Sequence, residues 1–143
     1  GINKIILMEQ EWFVYIIYNK NCSYVGVTPD PEKRIQKHNG ILPGGAKYTK
    51  SKGSGWKFIC IIHGLNKINA MKLEWAIKHC PPRKKLGIDN RIIKLYNVLL
   101  NDKWTKNSPD ADSMPLIIEW KNISYRKSIK LPFYIFEEHL KEL

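Results

Sequence analysis

Tyr15 and Tyr24 stand in two apolar runs, Arg34 and His38 follow one helical turn apart, and Glu74 lies further on in a stretch of helical periodicity. Singly, each has an ordinary use: a strand tyrosine packs its ring, a helix arginine is a surface charge, and a lone histidine is structural. As a set they hold what phosphodiester hydrolysis needs, namely a proton acceptor for water, a cation beside the phosphate and a carboxylate for a divalent metal. Tyr24 is a candidate base, given a cation or metal-bound water that eases ionisation of a phenol whose ordinary pKa is about 10. Tyr15 is the other candidate, or else it orients the water or the phosphate. Arg34 can grip a phosphate bidentately, and His38 can orient water or move a proton.

Glu74 offers an oxygen ligand of the kind Mg2+ prefers, with Mn2+ as a substitute; one carboxylate plus water and substrate phosphate suits such an ion. No zinc is expected. Cys22, Cys60 and Cys80 are too widely spaced for a zinc unit, and no HxE or HExxH pattern occurs. Three scattered thiols fit a reduced, intracellular protein.

The elements that would position these residues follow from pattern. Trp12 to Tyr18 (WFVYIIY) reads as a strand covered on both faces, and Ser23 to Val27 as its return strand after a turn at Asn19, Lys20 and Asn21. Gly26 offers a place where another group can approach the backbone closely. Thr28 or Asp30 can cap a helix with Pro31 at its first position, ending near Asn39 and Gly40. Ile41 to Gly55 is expected to be a long Gly- and Lys-rich loop, and Trp56 to His63 a third strand. A second helix from Asn66 or Asn69 to Cys80 is stopped by Pro81 and Pro82; its apolar side is Ala70, Leu73, Ile77 and Cys80, and Glu74 borders that side. A carboxylate so placed asks for a partner. A third helix spans roughly Asn90 to Asn101. Beyond it lie a polar loop, an extended segment at Pro115 to Trp120, and a tail with a short helical end. The expected architecture is α+β: a small three-stranded antiparallel sheet flanked by helices, with residues 10–100 as the core and 101–143 as an extension on the same domain.

The formal charge of the 143-residue chain is +11. Most of the excess sits mid-chain: Pro31 to Cys60 carries seven basic residues against one acidic, and Lys72 to Lys94 seven against two. Such a field attracts polyanions, nucleic acid above all. Lys37, Lys47, Lys50, Lys52, Lys57, Arg83, Lys84 and Lys85 are candidate backbone contacts, with Tyr48 able to stack on an exposed base. No GxxxxGK[ST] or GxGxxG opens a helix, which disfavours a nucleotide-binding fold. No apolar run reaches the length of a membrane helix, so no membrane partner is expected.

VYI at 14–16 and YVG at 24–26 resemble the two halves of the GIY-YIG nuclease signature, with Phe13 in place of its first glycine. The following TPDPEKRIQKHNG resembles the family's next helix, and GGAKYTK and EWAIKH are similar to the nuclease subunit of the eukaryotic structure-specific endonuclease. The resemblance implies a DNA endonuclease acting on flaps, replication forks and Holliday junctions. Tyr15, Tyr24, Arg34 and His38 would then be catalytic, and Glu74 both catalytic and metal-binding. It also implies work beside a scaffold subunit, in the nucleus or, for a viral protein, at a cytoplasmic replication site, as a monomer or weak homodimer. Relatives carry a C-terminal RING-like zinc module for which this sequence has no cysteines. The other readings left open are a non-catalytic DNA-binding module of the same fold and a sequence-specific GIY-YIG endonuclease.

Overall fold

A computed structural model describes residues 10–83 and 87–139. At its centre is β1 (Trp12–Asn19), whose side chains alternate between two apolar layers. Val14 and Ile16 join a large core, while Tyr15 and Ile17 join a smaller one on the opposite face. That is the period-two pattern of a strand covered on both sides. Antiparallel β2 (Cys22–Thr28) pairs with it on one side and β3 (Lys57–Leu65) on the other. The turn is tighter than expected, since Asn19 and Cys22 are paired and only Lys20 and Asn21 lie between them. Lys20 takes the positive φ of 54°.

The sheet has five strands, in the order β2-β1-β3-β4-β5, rather than three. β4 (Leu116–Trp120) runs antiparallel to β3, and β5 (Ile135–His139) is parallel to β4. The tail is therefore a strand and not a short helical end. Trp120 Nε1 donates to Glu137 at 2.8 Å, and Arg126 grips both oxygens of the same carboxylate. These partners lie far apart in sequence, so local periodicity carried no sign of the pairing.

Among the described residues, four α-helices accompany the sheet: α1 (Pro31–His38), α2 (Lys47–Ser51), α3 (Lys67–His79) and α4 (Ile88–Leu99). Asp30 caps α1 by accepting from the Lys33 amide, and Asn66 caps α3 by accepting from the Asn69 amide. Leu73 and Ile77 of α3, with Ile92 and Leu95 of α4, are fully buried in the large core. Each such side chain contributes about 1.5–3 kcal/mol relative to exposure, so this face carries most of the stability. The opposite face buries only four apolar residues, Tyr15, Ile17, Trp56 and Ile61, and it is there that polar groups enter the interior.

The Gly- and Lys-rich segment 41–55 is less irregular than its composition suggests, because it contains α2. Two asparagines close its base. Asn39 accepts from the Gly55 and Trp56 amides and donates to the Trp56 carbonyl, while Asn19 donates to the carbonyls of Lys52 and Ser54. Thr49 of α2 is completely buried, so the segment lays a polar side chain against the smaller core.

Candidate active site

The smaller core holds a directed chain of hydrogen bonds. Thr49 donates its hydroxyl proton to the Ala46 carbonyl at 3.0 Å, leaving its oxygen to accept from His38 Nδ1 at 2.8 Å. Nδ1 therefore carries the ring proton, and Nε2, with its free lone pair, accepts from the Tyr15 hydroxyl at 2.7 Å. The sequence alone left the tautomer open; the Thr49 bond decides it. Tyr15 and His38 are 1% and 2% exposed.

Burial raises the Tyr15 pKa well above the phenolic range, with Arg34 opposing the shift and Tyr24 and Glu74 adding to it. Burial also lowers His38 to about 4, and the Arg34 guanidinium pushes in the same direction. Both changes keep the proton on tyrosine and the imidazole neutral.

Backbone shape serves this placement. The β1–β3 register shifts on either side of Tyr15, between Trp12 and Val14 and between Ile16 and Ile17, and such bulges re-aim side chains. Gly26 faces Tyr15 across the hairpin, and a Cβ there would lie 2.4 Å from the hydroxyl oxygen. The close approach expected at Gly26 is thus made by Tyr15. Gly45 plays a similar part for the loop, since its Cβ would meet the Lys37 carbonyl at 2.5 Å.

The remaining sequence candidates gather around this pair. The Tyr24 ring is 5.0 Å from the His38 ring and 6.4 Å from Tyr15, centroid to centroid. Tyr48 stacks on Tyr24 at 6.2 Å. Arg34 donates to the Gly44 carbonyl at 2.9 Å, and its positive charge favours ionisation of the Tyr15 hydroxyl. Glu74 is half-buried, and its partner is Lys78, at 3.3 Å one turn along α3. Lys78 Nζ also stands 5.6 Å from the centre of the Tyr24 ring.

Glu74 is the carboxylate available for a cation. Among the described residues no three His, Cys, Asp or Glu side chains converge. One carboxylate near two phenols and an arginine suits an ion that keeps its own waters and takes substrate oxygens; Lys78 would have to yield some of its contact.

The expected DNA contacts divide. Lys47, Tyr48, Lys50 and Lys52 are exposed on or beside α2, with Lys52 Nζ 5.6 Å from the Tyr48 ring centre. Lys37 is half-buried on α1 and Arg83 is exposed beyond α3, while Lys84 and Lys85 lie outside the described residues. Lys57 instead lines a separate groove with Tyr18, Gln36 and Lys121. Sequence reasoning missed Thr49 and Lys78. Both lie inside the motifs GGAKYTK and EWAIKH, and Lys78 follows Glu74 at the i,i+4 spacing of a helix pair.

The chain is similar in sequence to several known proteins. The chain is 29% identical to the structure-specific endonuclease subunit slx1 of Xenopus laevis, over 88% of this chain and 49% of that protein. It is 47% identical to the Schizosaccharomyces pombe subunit of the same name, over 69% of this chain and 38% of that protein. It is 35% identical to the Drosophila mojavensis homologue, over 81% of this chain and 41% of that protein. The chain thus spans at most about half the length of these relatives. The GIY-YIG catalytic domain matches residues 11–83, which take in the hairpin, α1, α2, β3 and α3 with every side chain of the constellation. A tyrosine pair on a hairpin, an arginine and a buried histidine on the next helix and a carboxylate on α3 are held in one place by that span, and the chain belongs to the GIY-YIG catalytic domain family.

Proposed function

We propose that this chain is a structure-specific DNA endonuclease that hydrolyses a phosphodiester in branched DNA with one divalent metal. The observation that carries the reading is the Tyr15–His38–Thr49 chain of hydrogen bonds beside Arg34 and Glu74. A binding-only domain has no use for a buried phenol aimed at a neutral imidazole.

Tyr15 is the better-placed proton acceptor, because a proton it takes from water can be matched by passing its own to His38 Nε2. Arg34 is the cation this chain supplies to favour the phenolate and to bind the phosphate. Thr49 holds the imidazole in the accepting tautomer. Tyr24, flanked by Tyr48 and Lys78, orients the water or the phosphate. A divalent cation on Glu74, Mg2+ or Mn2+, would withdraw charge from the phosphate and the leaving oxygen. The relatives are named as subunits, and by extension a scaffold partner belongs to this reading.

The test uses purified protein and Glu74→Gln on flap, Holliday-junction and plain duplex DNA, with and without magnesium. Cutting of branched DNA that needs both the metal and Glu74 is expected. Salt-sensitive binding without cleavage would replace the reading with that of a DNA-binding module, and cutting indifferent to Glu74 would remove the metal role.

A further inference from the structure

Beside Tyr24 a cavity of about 170 Å³ opens between β2, α3 and α4. Three cations line it: Lys78, Arg91 and Lys94. Lys78 has Glu74 as partner, whereas among the described residues Arg91 has the Ser23 hydroxyl, at 3.3 Å from its Nε, and no carboxylate. Lys94 is 4% exposed, and among the described residues it has neither a carboxylate nor a hydrogen-bond partner. Gly87, at the start of α4, lines the same cavity, and that helix end has no side-chain cap. Burial lowers the proton affinity of both Arg91 and Lys94, and Arg91 repels Lys94 in addition. Cations crowded around one small cavity repel one another, and an anion seated among them would relieve that repulsion.

We propose that this cavity is a subsite for a second phosphate of the DNA, one that flanks the scissile phosphodiester. The inference rests on the nuclease reading for the word scissile, but the anion site stands on its own residues. Tyr24 lines the cavity and also stands beside His38, so its ring adjoins both the reacting pair and the cations. A strand whose scissile phosphate lies at Arg34 would place a neighbouring phosphate against Arg91, Lys94 and the N-terminal end of α4. The aromatic wall of Tyr24 and Tyr48 can carry the sugar or base between the two phosphates.

The experiment is a binding one, independent of cleavage. Equilibrium binding of a flap oligonucleotide is measured against salt for the wild type, Lys94→Met, Arg91→Gln and the exposed control Lys130→Met. The two cavity variants should each bind about tenfold more weakly, and each should lower the salt slope by about 0.9 per lost contact. The control should match the wild type. A second arm replaces single phosphates near the branch with neutral methylphosphonates. One position should weaken the wild type but not Lys94→Met. Thermal melting provides the fold check: relieving the repulsion from Arg91 should raise the midpoint of Lys94→Met, whereas a structural lysine would lower it. Unchanged affinity and slope in both variants, or no methylphosphonate position rescued, overturns the subsite. Cleavage failing while these binding results hold overturns the nuclease reading alone.

Discussion

The two sides of Tyr24 are built on opposite principles. On one side, Tyr15, His38 and Thr49 are buried, neutral and fully paired. On the other, Lys78, Arg91 and Lys94 crowd positive charge around one cavity, and among the described residues only Lys78 has a carboxylate partner, Glu74, which does not line it. Closed hydrogen bonds fix direction and tautomer, at little cost while all members are satisfied. Unpaired charge fixes nothing by itself and waits for a ligand. The paired side is therefore where orientation and proton movement belong, and the unpaired side is where an anion belongs.

The contrast breaks most severely at the carboxylate. Glu74→Gln should abolish detectable cleavage, with melting close to the wild type because the residue is only half-buried. A smaller loss is expected from steric intrusion on the paired side. Gly26→Ala would press a Cβ onto the Tyr15 hydroxyl, and a misplacement of about 1 Å is enough to cost about 100-fold in rate. Cleavage rate should fall while DNA affinity, measured separately, does not. Thr49→Val keeps shape but leaves His38 Nδ1 without an acceptor. Urea unfolding should register a loss of about 1–3 kcal/mol for the unsatisfied buried donor.

The paired side should also be the acid-sensitive one. His38 has a folded pKa of about 4, below its ordinary value of 6.5, so between these values the unfolded chain binds more protons than the folded one. Its contribution to stability is complete above pH 6.5 and is lost as pH falls toward 4. Melting followed across that window should show the decline, and His38→Gln should lack this share of it. Glu119 and Glu137, held below their ordinary carboxylate values by His63 and Lys121 and by Arg126 and Trp120, add their own losses at lower pH. That part of the decline should persist in the variant.

The paired side was largely legible in the sequence, because its parts are local. A hairpin places Tyr15 and Tyr24, and a Pro-led helix places Arg34 and His38 one turn apart. Gly26 announced a close approach without naming the atom that makes it. Thr49 was hidden because its role depends on a short helix within a loop that looked irregular, folded back by Asn19 and Asn39. The unpaired side could not be read. Arg91 and Lys94 look like solvated helix charges until α4 is packed against β2 and turns them inward. The same limit explains β5, whose alternation is too short to announce a strand and whose partners, Trp120 and Arg126, come from other parts of the chain.

Placing the proton acceptor on the paired side is the claim most open to direct attack. Single-turnover cleavage of a flap substrate in magnesium, for the wild type, Tyr15→Phe and Tyr24→Phe, decides it. Both variants keep the aromatic packing, and melting checks the fold, since Tyr15→Phe leaves the buried His38 Nε2 without its donor. Tyr15→Phe should lose at least about 100-fold, the smallest effect expected of a general base, and more than Tyr24→Phe loses. A Tyr15→Phe protein that cuts at the wild-type rate while Tyr24→Phe does not would contradict the account and move the base to the other tyrosine.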